Sequence, residues 1–75
     1  MALIERLTLI QEAHRWTDAE MAARCGMSYR MWQQARSGSI RFGHRALRAI
    51  LRAFPEVGPE VLTYLADEPT AEAVA

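Results

Sequence analysis

The sequence predicts a compact all-α domain built from five short helices. Three observations carry that reading. Apolar residues recur at three- and four-residue intervals along most of the chain. Nowhere do they alternate for more than a few positions, and valine, isoleucine and the aromatics are scattered, so strands have little support. Segment ends are punctuated by Ser or Thr on one side and by Gly or Pro on the other. Seventy-five residues, 51% of them hydrophobic, make room for one domain with a modest core.

The first helix is expected over residues 2–14, where Leu3, Leu7, Ile10 and Ala13 or His14 share a face and Glu5, Arg6 and Glu12 lie on others. The next boundary is the best marked. Thr17-Asp18-Ala19-Glu20 fits a capping box, with Trp16 and Met21 at the spacing of a hydrophobic staple. A short helix follows from Asp18 to Cys25, with Met21, Ala22 and Cys25 turned inward. Gly26 ends it, as a residue free to take a positive φ.

Met27 alone separates Gly26 from Ser28, a second N-cap. It opens a third helix near Tyr29–Arg36, stopped by Ser37-Gly38-Ser39. The inward positions of that helix are Met31 or Trp32, together with Ala35. A loop over Ser37–Gly43 leads to a fourth helix near His44–Phe54. Here Leu47, Ile50, Leu51 and Phe54 oppose Arg45, Arg48 and Arg52. Pro55 ends it. Gly58-Pro59 supplies a cap and a first-turn proline for a fifth helix through Ala66. Residues 1–67 then form the domain, and the acidic segment 68–75 is expected to fray.

The charge total conceals its arrangement. Nine arginines and nine acids cancel, which taken alone argues against a nucleic-acid partner. Yet seven arginines and no acid lie between Arg24 and Arg52, whereas five acids and no basic residue lie beyond Phe54. Such asymmetry points to a polyanion partner. Other classes are excluded more directly. A lone Cys25 forms no intramolecular disulfide. His14 and His44 make no metal-ligand spacing with it, so neither a metal nor a cofactor is expected. No apolar run is long enough to span a bilayer, and the N-terminus is broken by Glu5, Arg6, Gln11 and Glu12, unlike a signal peptide. The expectation is an intracellular, cytoplasmic protein without membrane contact. No phosphate loop, nucleophile elbow or metalloprotease pattern appears, so an enzyme has almost no support.

Two short helices joined by a glycine turn inside an all-α domain are the layout of a helix-turn-helix. The stretch WTDAEMAARCGMSYRMWQQARSG resembles the lambda-repressor-like family of Cro and XRE-type regulators. Ala22 stands where the family places a small residue. Gly26 stands at its turn glycine, with Met21, Cys25, Met27, Trp32 and Ala35 at its apolar positions. The resemblance extends over nearly all of residues 3–66. It departs from the pattern at Asp18, where a glutamine is frequent, at Arg36, where a glutamate is frequent, and in a loop lacking the usual proline.

The resemblance implies a sequence-specific, repressor-like DNA-binding transcriptional regulator of prokaryotic or phage type, with the third helix in the major groove. Ser28, Tyr29, Arg30, Gln33, Gln34 and Ser37 then hold the base-reading positions. Arg30 suits guanine and Gln33 or Gln34 suits adenine, while Ser28 and Tyr29 also have the reach for phosphate. Arg24, Arg36, Arg41, His44 and Arg45 are the candidates for the phosphate grip. A homodimer on palindromic double-stranded DNA is expected, since one half-site gives a small domain little specificity. Val61, Leu62, Tyr64 and Leu65 are its candidate surface.

Plainer readings stand beside these. Trp16, Trp32 and the methionines at 21, 27 and 31 suit core packing, and Cys25 suits a small buried hydrophobe. Arg45, Arg48 and Arg52 suit a solvated helix face, and Gln33 and Gln34 a neutral one. Asp18, with Glu20, suits a helix start, although a carboxylate near phosphate is unfavourable. The rival function is a protein-interaction module, of antitoxin or phage-regulator type, that keeps the fold with little or no DNA binding.

Overall fold

Among the described residues five α-helices follow one another: α1 (Leu3–His14), α2 (Asp18–Arg24), α3 (Tyr29–Ser37), α4 (His44–Ala53) and α5 (Gly58–Ala66). A single 3-10 turn, Pro55–Val57, lies between the last two. The structure is a computed structural model that describes residues 1–67, and the segment 68–75, expected to fray, lies outside them. Among the described residues there is no strand. The all-α, five-helix expectation holds.

Local chemistry fixes most of the boundaries. The Glu5 carboxylate accepts from the Ala2 amide at 3.1 Å. At α2 the capping box is complete: Thr17 N donates to Glu20 Oε1 at 2.8 Å, and Glu20 N donates to Thr17 Oγ1 at 3.2 Å. Ser28 Oγ accepts from Met31 N at 3.1 Å and starts α3. The first three helices end alike. Arg15, Gly26 and Gly38 take positive φ values of 56, 71 and 84°. After each, paired backbone bonds return to the last turn, as in Trp16 N to Gln11 O, Met27 N to Ala22 O and Ser39 N to Gln34 O. This is the Schellman arrangement. At Arg15 it is made without glycine.

The C-terminal boundaries differ from the expectation. Helix α4 stops at Ala53, because Phe54 precedes proline and adopts φ −134° and ψ 78°, off the helical region as a pre-proline residue prefers. Gly58 is not a cap. The 3-10 turn carries the chain into α5, so Gly58 is already helical and Val57 holds the cap position.

One core unites the helices. Leu3 and Leu7 of α1, Met21, Ala22 and Cys25 around α2, Trp32 and Ala35 of α3, and Phe42 of the loop join Leu47, Ile50, Phe54, Val57 and Val61 in a single buried cluster. Of the two inward candidates on α3, Trp32 is fully enclosed, and Met31 is half-buried beside it. Burial pushes the Cys25 thiol up to about 11, which leaves it protonated and unreactive near neutrality. The first helix departs from the expected face. Ala13 and His14 are exposed, and Gln11, read as an interruption, is 8% exposed on the buried stripe.

Candidate nucleic-acid interface

Helix α2 packs on α3 through the turn at Gly26. The turn also lies against α4: a Cβ added at Gly26 would stand 3.4 Å from the Ala49 Cβ. With Trp32 and Ala35 turned inward, the opposite face of α3 is left to solvent. Tyr29, Arg30, Gln33, Gln34 and Ser37 are all exposed there. Gln33 Nε2 donates to the Tyr29 hydroxyl at 2.7 Å, so these two side chains hold each other one turn apart. Ser37 Oγ donates to the Gln34 carbonyl at 3.0 Å and lies 2.9 Å from Ser39 Oγ. Ser28 is exposed, and its hydroxyl oxygen serves as the α3 cap. Among the described residues, Arg30 and Gln34 have no side-chain hydrogen bond.

Next to this face stands the start of α4. His44 and Arg45 are exposed, and a shallow apolar cleft lined by Met27, Met31, Ala46 and Ala49 separates Arg45 from α3. Arg48 and Arg52 continue the exposed row along α4, as the solvated-face reading expects.

The other predicted phosphate contacts are held elsewhere. Each guanidinium lies over an aromatic ring of the protein itself: Arg24 over Trp16 at 4.2 Å, Arg36 over Trp32 at 5.9 Å, and Arg41 over Tyr64 at 4.1 Å. The Trp16 ring also stacks on His14, with centroids 4.2 Å apart, and reaches Phe54 at 6.1 Å. Arg41 Nη2 donates to the Tyr64 carbonyl at 3.0 Å. Tyr64 in turn accepts the Phe42 amide on its hydroxyl at 2.8 Å. Of the residues expected at a dimer surface, Val61 is only 3% exposed. It is a core residue, a correction that follows from α5 packing this position against α1 and α4. Tyr64 and Leu65 are half-buried, and Leu62 alone of the four is openly exposed, at 70%.

Beneath the site lies a polar node that sequence reasoning did not find. The Gln11 amide nitrogen donates to the Trp16 carbonyl at 3.1 Å and to Asp18 Oδ1 at 2.9 Å. Its amide oxygen accepts from the Trp32 indole at 3.2 Å. The same indole lies 3.3 Å from Asp18 Oδ1, and Arg36 Nη1 donates to that oxygen at 2.6 Å. One carboxylate oxygen thus gathers groups from α1 and from both the middle and the end of α3. The Gln11 hydrogen bond is the largest influence lowering the Asp18 carboxyl below its ordinary range. The Arg36 charge and the Trp32 indole act in the same direction, against partial desolvation.

A signal for the node was present in the sequence. Gln11 lies four residues after Leu7 and eight after Leu3, on the apolar stripe, and a buried tryptophan needs an acceptor. Asp18, Gln33, Arg36 and Ser37 line an open cleft of about 340 Å³ above the node.

Among the described residues, no helix is long and apolar enough to cross a membrane, and no three His, Cys, Asp or Glu side chains cluster as metal ligands. Compared with family models, with curated proteins and with solved structures, the chain has no match in any of the three.

Proposed function

We propose that this protein is a sequence-specific DNA-binding regulator of the helix-turn-helix kind, non-enzymatic, with α3 as its recognition helix. The observation that carries the reading is the outer face of α3. It is a row of exposed polar side chains on a short helix, held by a glycine turn and flanked by the basic start of α4. An α-helix of this kind fits the major groove, whose base edges its polar side chains can read. Arg30 and Gln34 stand ready for base edges, while the Tyr29–Gln33 pair presents one preformed unit. His44 and Arg45 supply phosphate contacts beside them. The resemblance of residues 18–37 to the lambda-repressor-like family supports the same reading.

Selection from random duplexes is the test. The expected outcome is a recovered site with two related half-sites, bound by a dimer through the exposed Leu62 side of α5. Replacing Arg30 and Gln33 by alanine removes the preference for that site and leaves salt-dependent retention on DNA. No retention of any duplex at low ionic strength sinks the proposal. A strict monomer in sedimentation at high concentration removes the dimer.

A second reading has an observation of its own. Arg24, Arg36 and Arg41 are each docked on an aromatic ring of this chain, and two of them hydrogen-bond within it. A protein-interaction module that keeps the fold without gripping DNA fits that internal use. The low-salt retention experiment separates the two.

A further inference from the structure

We infer that Asp18 withholds Arg36 from the phosphate backbone, keeping one cation out of sequence-independent binding and so lowering the affinity for DNA of any sequence. The inference rests on the proposed DNA-binding function and adds to it a residue that sets the strength of the sequence-independent grip. Arg36 lies in the last turn of α3, on the exposed cleft shared with the candidate readers Gln33 and Ser37. There an arginine would ordinarily serve a phosphate. Its charge is already answered, because Nη1 lies 2.6 Å from Asp18 Oδ1 and the two side chains are 39% and 26% exposed.

The carboxylate is not free to move away. Gln11 Nε2 and Trp32 Nε1 donate to the same oxygen at 2.9 and 3.3 Å from the buried side. Neither donor depends on Arg36. If the guanidinium left for a phosphate, Asp18 would remain fixed and charged at the start of α2. In a helix-turn-helix docked on DNA the first helix crosses the backbone. A departing Arg36 would therefore leave a bare negative charge close to the polyanion. The nearest other acid in sequence, Glu20, is engaged in the Thr17 capping box. Asp18 is thus the carboxylate that sets how much of the Arg36 charge DNA can use. Withholding it weakens every site alike, through the backbone contribution that carries no sequence information.

Binding of a non-cognate duplex across a series of salt concentrations tests this, with the full chain and three variants. Asp18→Asn is expected to bind about two- to fivefold tighter at low salt, since the released charge is partly exposed. Its salt slope should steepen by about 0.9, one phosphate contact. Arg36→Gln alone should leave the wild-type slope unchanged. The double variant should return to the wild-type slope. Arg36→Gln leaves the Gln11 and Trp32 bonds intact, so it decides the matter even where Asp18→Asn folds poorly. A slope shallower by about 0.9 in Arg36→Gln overturns the inference, because Arg36 then already grips phosphate. So does a gain that survives in the double variant, which would reflect only the lost negative charge. Wild-type retention with these outcomes fails the inference alone. No retention of any duplex by the wild type fails the DNA-binding reading, and the inference with it.

Discussion

The two halves of this small protein are held together by different physics. From α1 to α3, each helix ends in a left-handed residue with the same paired backbone bonds, and α2 and α3 each begin at a side-chain cap. A directional polar node joins the three helices at Asp18. From α4 to α5 the pattern changes. Gly43 and Val57 hold the cap positions without a side-chain hydrogen bond, and cohesion comes from Leu47, Ile50, Phe54, Val57 and Val61. Apolar packing accepts a change of shape when volume is kept, whereas a hydrogen bond fails when its angle is lost. Both halves share the one apolar core, and the first half adds directional bonds that fix the angle of α3.

The contrast breaks most visibly at Trp32, which belongs to both the core and the node. Trp32→Ala is expected to cost about 3–5 kcal/mol, a large share of the stability of a domain this size. Ile50→Val, a loss of volume in the second half, should cost only about 0.5–1.5 kcal/mol. Urea unfolding of the two variants measures both. A cost for Trp32→Ala no greater than that for Ile50→Val would show that Trp32 does not anchor the core as its full burial implies.

A smaller effect separates the halves by pH. The carboxyls of Asp18 and Glu20, both in the first turn of α2, are held below their ordinary range, Asp18 first by Gln11 and Glu20 first by the Thr17 backbone amide. A carboxyl lowered in the folded state contributes fully above its unfolded value and loses that contribution as pH falls through the folded one. Stability should accordingly decline below about pH 4, and Asp18→Asn should flatten part of the decline while lowering stability at pH 7. An unchanged acid profile in the variant would place the acid-sensitive groups elsewhere.

The smallest effect is at Arg15. It holds a φ of 56° where Gly26 and Gly38 make the equivalent turns. Arg15→Gly should raise stability by about 0.5–1 kcal/mol by removing Cβ crowding, partly offset by the greater freedom of the unfolded chain. A lower melting temperature would show that the arginine side chain contributes more than its backbone costs.

What was legible in the sequence was local. The Thr17–Glu20 box, the Ser28 cap and the glycines at 26 and 38 act within a turn of chain, so residue order alone reveals them. The inward turn of Trp32 or Met31 required one distant fact, which side of α3 meets the other helices. The node was hidden because its partners lie 7, 14 and 21 residues apart, and a glutamine inside an amphipathic helix reads as surface until an indole is found opposite it. Arg41 and Tyr64 were missed as partners for the same reason, lying 23 residues apart. The 3-10 turn after Phe54 follows from proline and from packing of Val57, and only the first of these is written in the chain. The exposed row on α3 was legible as a row. Which of its members bond to one another, as Tyr29 and Gln33 do, was not.

Tyr64 also gives the second half a property that apolar packing alone would not. Its hydroxyl, its carbonyl and its ring all engage the segment before α4, through the Phe42 amide and the Arg41 guanidinium. The chain from residue 41 to residue 64 is thereby closed into a non-covalent ring, with α4 and the 3-10 turn inside it. Helix α5 cannot peel from the body without stripping the Phe42 amide of its acceptor. The last helix and the loop after α3 therefore open as a single cooperative unit, and exchange of one amide hydrogen reports whether that ring is shut.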